Sequence, residues 1–118
     1  MHEFNEWLEK AYSDFDAALL LIREKKFEQG AFFLQQSSEK ALKAIYLKRE
    51  KKLIKTHDLI LLARNVKAPK NISDNCKKLT QLYQATRYPD VPSSKEIEAN
   101  ISELIELAQE VVQWAKSQ

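Results

Sequence analysis

The residues best equipped for chemistry fall in three short stretches of the 118-residue chain. ATRYPD (85–90) sets a guanidinium, a phenol ring and a carboxylate, those of Arg87, Tyr88 and Asp90, almost side by side. The guanidinium is a planar fork of donors suited to a phosphate, and a carboxylate can serve as a base if its pKa is raised. The same stretch also punctuates the chain. Pro89 disfavours the helical conformation at Tyr88, and Ser93 followed by Glu96 is a capping-box pattern. Helix-stop and cap chemistry account for Pro89, Ser93 and much of Asp90, but leave Arg87 and Tyr88 over.

KTHDL (55–59) holds His57 at the edge of a short helical pattern. Two readings fit. THD caps that helix, or the imidazole, kept neutral by the positive helix end, faces a nucleotide or a partner. QQSSEKALKA (35–44) puts Gln36, Lys40 and Lys43 on adjoining turns of one polar flank. A solvated helix face is the plain reading. The uncharged run Gln35, Gln36, Ser37, Ser38 inside a strongly charged chain instead suits an interhelical hydrogen-bond network or a protein interface. The lysines and arginine at 48, 49, 51, 52 and 55 form a basic loop able to meet phosphates. No aromatic or glycine interleaves them, so a mobile solvated loop is the plain reading.

The inventory excludes some chemistries. Two histidines and a single cysteine make a metal centre a poor expectation, and no intrachain disulfide is possible. No cofactor is implied. His2 is given no role, and Cys76 fits a buried helical stripe better than a reactive site. Trp7 and Trp114, near opposite ends of the sequence, suit core or dimer packing.

These residues must be positioned by helices. Phe4, Leu8, Ala11, Phe15, Ala18, Leu19 and Ile22 step by threes and fours, predicting a helix over about 3–24. A second is expected from 27 or 28 to about 49, with Gly30 in its first turn allowing close approach of the first. KREKKLIKT (48–56) reads as the longest loop, followed by a short helix over 58–65 capped by Thr56 or Asp58. KAPKN (67–71) breaks the chain before a fourth helix over about 72–86, and the last begins near Ser93. No segment alternates as a half-buried strand would. The expectation is all-α: one domain over 1–118, an antiparallel up-and-down bundle of four long helices plus one short helix.

Net charge is +2, unevenly spread. Residues 1–39 carry four Lys/Arg against eight Asp/Glu, 40–80 twelve against three, and 81–118 three against six. A basic middle between acidic flanks permits contact with phosphates, with an acidic partner, or between unlike surfaces of two copies. No apolar run approaches the ~20 residues a membrane span needs. The N-terminus is charged and amphipathic rather than signal-like, so a cytoplasmic protein is expected.

Taken in order, the amphipathic first helix, FxxGAFFLQQSSEKALKAIYL (27–47), KTHDL (55–59), ATRYPD (85–90) and the long last helix resemble the HEPN domain in its minimal stand-alone prokaryotic form. The resemblance spans essentially the whole chain. It implies a helical bundle, commonly a homodimer, and a minimal nucleotidyltransferase as partner in a toxin–antitoxin-like pair. Ribonuclease branches of that family pair an Arg with a His across four to six intervening residues. Arg87 matches the Arg, whereas the His positions hold Pro92, Ser93 and Ser94. The resemblance therefore implies a non-catalytic protein that dimerises, binds its partner and takes a nucleotide through Arg87, Tyr88, Asp90, His57, Lys40 and Lys43. Two alternatives stand beside it: a metal-independent ribonuclease toxin acting on RNA, and a purely structural dimeric scaffold.

Overall fold

A computed structural model describes residues 2–84 and 93–118. Five helices follow in order: α1 (His2–Arg23), α2 (Phe27–Glu50), α3 (Leu59–Asn65), α4 (Lys70–Gln84) and α5 (Ser93–Lys116). Among the described residues there is no strand. The two 24-residue helices, at 1.5 Å per residue about 36 Å long, fill most of the bundle's 41 Å axis. The bundle is all-α, as expected.

α2 is the hub, touching every other helix, while α5 touches α1, α2 and α4. α1 therefore packs on one side, and α3 and α4 on another. The core follows the predicted stripes. Leu34, Leu42 and Ile45 of α2 are fully buried, with Ala11 and Ala18 of α1, Leu79 of α4, and Ala108 and Val111 of α5. Each large aliphatic removed from water contributes about 1.5–3 kcal/mol. Trp7 and Trp114 are half-buried and pack against this core. Cys76 is buried within α4, and burial pushes its thiol up to about 12, so it remains a protonated apolar filler.

Local chemistry explains the helix ends. The α1–α2 link turns through Lys25 in the left-handed region (φ 63°), with Lys26 N–H donating to Leu21 O at 2.8 Å. Gly30 then meets α1 so closely that a Cβ would lie 2.5 Å from Ile22 Cγ1, which is the close approach foreseen for it. α2 runs one residue past the expected end, into the KREKKLIKT stretch, and stops when Lys51 turns left-handed (φ 61°) and donates to Leu47 O. Lys67 repeats the device after α3 (φ 51°). α4 starts at Lys70, two residues before the expected start at 72, because Pro69, pre-set for a helical turn, accepts from Ser73 N–H. Within α4, Asn75 Nδ2 donates to Leu107 O and to Glu110 Oε2, tying the helix to α5. Pro89 and the Ser93 side chain, expected to divide α4 from α5, lie outside what is described.

No helix among the described residues is long and apolar enough to cross a membrane.

Candidate functional site

The polar flank of α2 is not the solvated face that its composition suggests. Gln35, Glu39 and Lys43, at spacings of four, form a strip on one side of the helix. Glu39 is 3% exposed and Lys43 8%. Burying two charges is costly unless they are paired and hydrogen-bonded. Here Lys43 Nζ donates to Glu39 Oε2 at 3.1 Å, and His57 Nδ1 approaches the same oxygen at 3.0 Å. The neighbouring serines do not bridge helices either. Ser37 and Ser38, both fully buried, donate back to Leu34 O in their own helix.

His57 reaches Glu39 because the segment after α2 is pinned at its far end. Asp58 Oδ1 accepts from the backbone N–H groups of Ile60 and Leu61, capping α3, and Thr56 Oγ1 accepts from Asp58 N–H. Asp58 and Thr56 do the capping, which leaves the imidazole for another role. An ionised carboxylate only accepts, so His57 donates through Nδ1–H, and in the neutral ring Nε2 keeps its lone pair. The side chain is 85% exposed. The result is an imidazole anchored at one nitrogen and open at the other.

His57 also lines a cleft of about 500 Å³. Its floor includes Gln35, one wall is the start of α3 with His57 and Asp58, and the other is the last turns of α4 with Thr80, Gln81 and Tyr83. Gln35 Oε1 is buried and has no hydrogen-bond partner among the described residues. Tyr83 also lines an adjoining hollow beside Phe32 and Phe33, whose rings meet edge to face at 5.5 Å.

Of the six residues singled out in the sequence, the structure brings two together, His57 and Lys43, through Glu39. Lys40 faces another way and pairs with Asp14 of α1. Arg87, Tyr88 and Asp90 lie outside the described residues, in the segment that follows α4. The basic stretch is partly engaged in holding the bundle. Arg49 donates to Val66 O and to Gln118 Oε1, and Lys48 donates to Gln118 O. No cluster of three or more His, Cys, Asp or Glu side chains suited to a metal occurs among the described residues.

Sequence reasoning missed Glu39 and noticed Gln35 only as part of an uncharged polar run. The available signal was spacing: Glu39 lies four residues after one polar side chain and four before another, beside a stripe of Leu and Ala that has to be buried.

The sequence matches the HEPN domain family over residues 4–118. The chain belongs to the HEPN family. Its fold is shared by TT1696 from Thermus thermophilus, at a TM-score of 0.82 and 26% identity over 99% of this chain and 98% of that one. It is also shared by ST0689, an archaeal HEPN homologue, at 0.80 and 24% over 100% and 98%. No curated protein matches the chain. The Lys43–Glu39–His57 constellation and the cleft beside it are thus features built on a HEPN bundle.

Proposed function

We propose that this HEPN protein binds without cutting: it dimerises, engages a small nucleotidyltransferase in a toxin–antitoxin-like pair, and takes a nucleotide at the His57 cleft. The observation that carries the non-cutting part is the Pro92-Ser93-Ser94 run where ribonuclease relatives keep their histidine. Without an imidazole there, Arg87 can hold a phosphate but has no adjacent group to move a proton near neutral pH. The ligand part is supported by the cleft, whose α4 wall leads in sequence towards Arg87, Tyr88 and Asp90. Lys43 contributes by holding Glu39 beneath His57, and Lys40 by bracing α2 against α1.

Incubation of the purified protein with total RNA is expected to leave the RNA intact. Cleavage that disappears on Arg87→Ala would overturn the non-cutting reading. Calorimetric titration should show nucleotide binding that weakens about tenfold, or 1.4 kcal/mol, on His57→Ala. No binding at millimolar concentration leaves only the structural scaffold. A nucleotidyltransferase encoded beside the chain and co-purifying with it is the expected partner result.

A ribonuclease reading has one observation in its favour. Glu39 orients His57 as a carboxylate orients a catalytic imidazole, with Nε2 towards solvent. In that case RNA is cleaved, and His57→Ala abolishes cleavage as completely as Arg87→Ala.

A further inference from the structure

Phe32 is a large aromatic side chain left in the open, 40% exposed on the side of α2 that turns towards the end of α4. With Phe33, Tyr83, Glu28 and Gln29 it lines a hollow of about 300 Å³, next to the His57 cleft and sharing Tyr83 with it. The rings brace one another. Phe32 meets Phe33 edge to face with centroids 5.5 Å apart, and meets Tyr83 at 6.4 Å with a tilt of 45°. A ring supported from two sides keeps its orientation, so a ligand meets a flat face without having to order it first.

The charge beside the rings indicates what that ligand carries. Glu28 lies one turn before Phe32 on the same side of α2, and among the described residues lining the hollow it is the only charged one. A carboxylate repels a phosphate and attracts a cation. Its oxygens offer about four lone-pair sites, enough to accept from a cation alongside other contacts. The rings narrow the choice of cation. A rounded ammonium is recognised where rings stand apart and wall it in. At 5.5 and 6.4 Å these rings touch each other and leave no ammonium-sized gap between them. What remains is one open ring face with a carboxylate beside it. A guanidinium suits both, being planar, able to stack on an aromatic face and able to give parallel N–H bonds to a carboxylate.

We infer that this hollow seats an arginine side chain of a partner protein, its guanidinium laid on Phe32 and paired with Glu28. The inference rests on the reading that the chain engages a protein partner, and it names the surface which that partner meets. Arginine and aromatic residues are enriched together in the buried centres of protein interfaces, where loss of water strengthens a contact of this kind. Tyr83 joins this surface to the His57 cleft, since it lines both hollows. A partner seated here therefore stands beside any ligand held there.

The probe is N-acetyl-arginine methylamide, titrated into the full chain with backbone amide signals followed by NMR. Shifts should centre on residues 28–33 of α2 and the last turn of α4, with a Kd of about 10 mM. The citrulline analogue, similar in shape but uncharged, should bind at least about fivefold more weakly, and the lysine analogue, which lacks the planar face, about threefold. Phe32→Leu removes the ring but keeps an apolar side chain, and Glu28→Gln removes the charge but keeps the shape. Each should weaken the arginine probe about threefold or more, with helicity unchanged by circular dichroism. No saturable shift at about 100 mM overturns the inference, and co-purification then judges the partner reading on its own. Citrulline binding as tightly as arginine, or unchanged affinity in folded Glu28→Gln, overturns the pairing with Glu28. Lysine binding as tightly, or unchanged affinity in folded Phe32→Leu, overturns the stacking on Phe32. AMP shifting the same residues at lower concentration than the arginine probe makes the hollow a base-stacking surface and overturns the inference. If a variant does not fold, the wild-type comparison of the three analogues decides.

Discussion

α2 presents two faces that solve opposite problems. Towards α1 it offers Gly30, close enough to Ile22 that no side chain fits between them, and one partly exposed ion pair, Lys40 with Asp14. Towards α3 and α4 it offers a buried carboxylate, a buried ammonium and an amide oxygen with no partner among the described residues. The first face is what close packing of two helices requires. The second carries desolvation costs that apolar side chains of similar size would avoid. A fold that can close one face with small residues has no packing reason to place charges under the other. Local departures from good packing practice concentrate where a protein functions, and in this bundle they concentrate beneath His57.

The contrast can be broken by mutation. The largest effect is expected from Glu39→Ala, which strands the Lys43 ammonium in the interior and should cost about 3 kcal/mol in chemical denaturation. Pairing it with Lys43→Met should recover most of that loss, whereas a cost below about 1 kcal/mol would show that the strip is not buried as described. Gly30→Ala comes next. Its methyl gains about 1 kcal/mol of helix propensity but collides with Ile22 Cγ1 and sits 3.3 Å from Ala18 O. Overpacking of this kind costs about 1–3 kcal/mol, so a net loss near 1 kcal/mol is expected, and a gain would mean that the α1 face is loosely packed. Asp14→Ala should cost less than about 1 kcal/mol, with the difference shrinking in high salt, because that pair is partly open to water. Smallest in stability is His57→Ala, within about 0.5 kcal/mol since the ring is mostly exposed. Its loss should be read in nucleotide affinity instead, and a large stability change there would make His57 a structural residue.

The four long helices were legible because each carries a stripe of apolar residues that keeps one period over three or more turns. α1 and α2 begin and end within a residue or two of their patterns. The boundaries that moved did so for local reasons: Lys51 ends α2 with a left-handed turn that a lysine does not advertise, and Pro69 starts α4 inside a stretch that reads as a loop. The site was legible only in part. KTHDL and QQSSEKALKA both drew notice, but periodicity treats a polar residue as outward by default, so Glu39 and Lys43 read as solvated. What reverses that default is the packing of α3 and α4 against α2, a contact between residues almost twenty positions apart, as in Glu39 with His57. Such a pairing has no periodic trace. Arg87, Tyr88 and Asp90 drew attention through composition alone.

Lys25, Lys51 and Lys67 terminate helical segments in a backbone region where a side chain is strained, while the single glycine serves contact rather than turning. Each left-handed lysine holds back about 1 kcal/mol that a glycine would release. The chain therefore contains a reserve of thermal tolerance at three surface positions away from the cleft. Lys→Gly at Lys25 and Lys67 would give a reinforced scaffold, about 2 kcal/mol more robust by the same per-residue figure, in which Glu39→Ala is easier to purify folded and its ligand affinity can be measured directly.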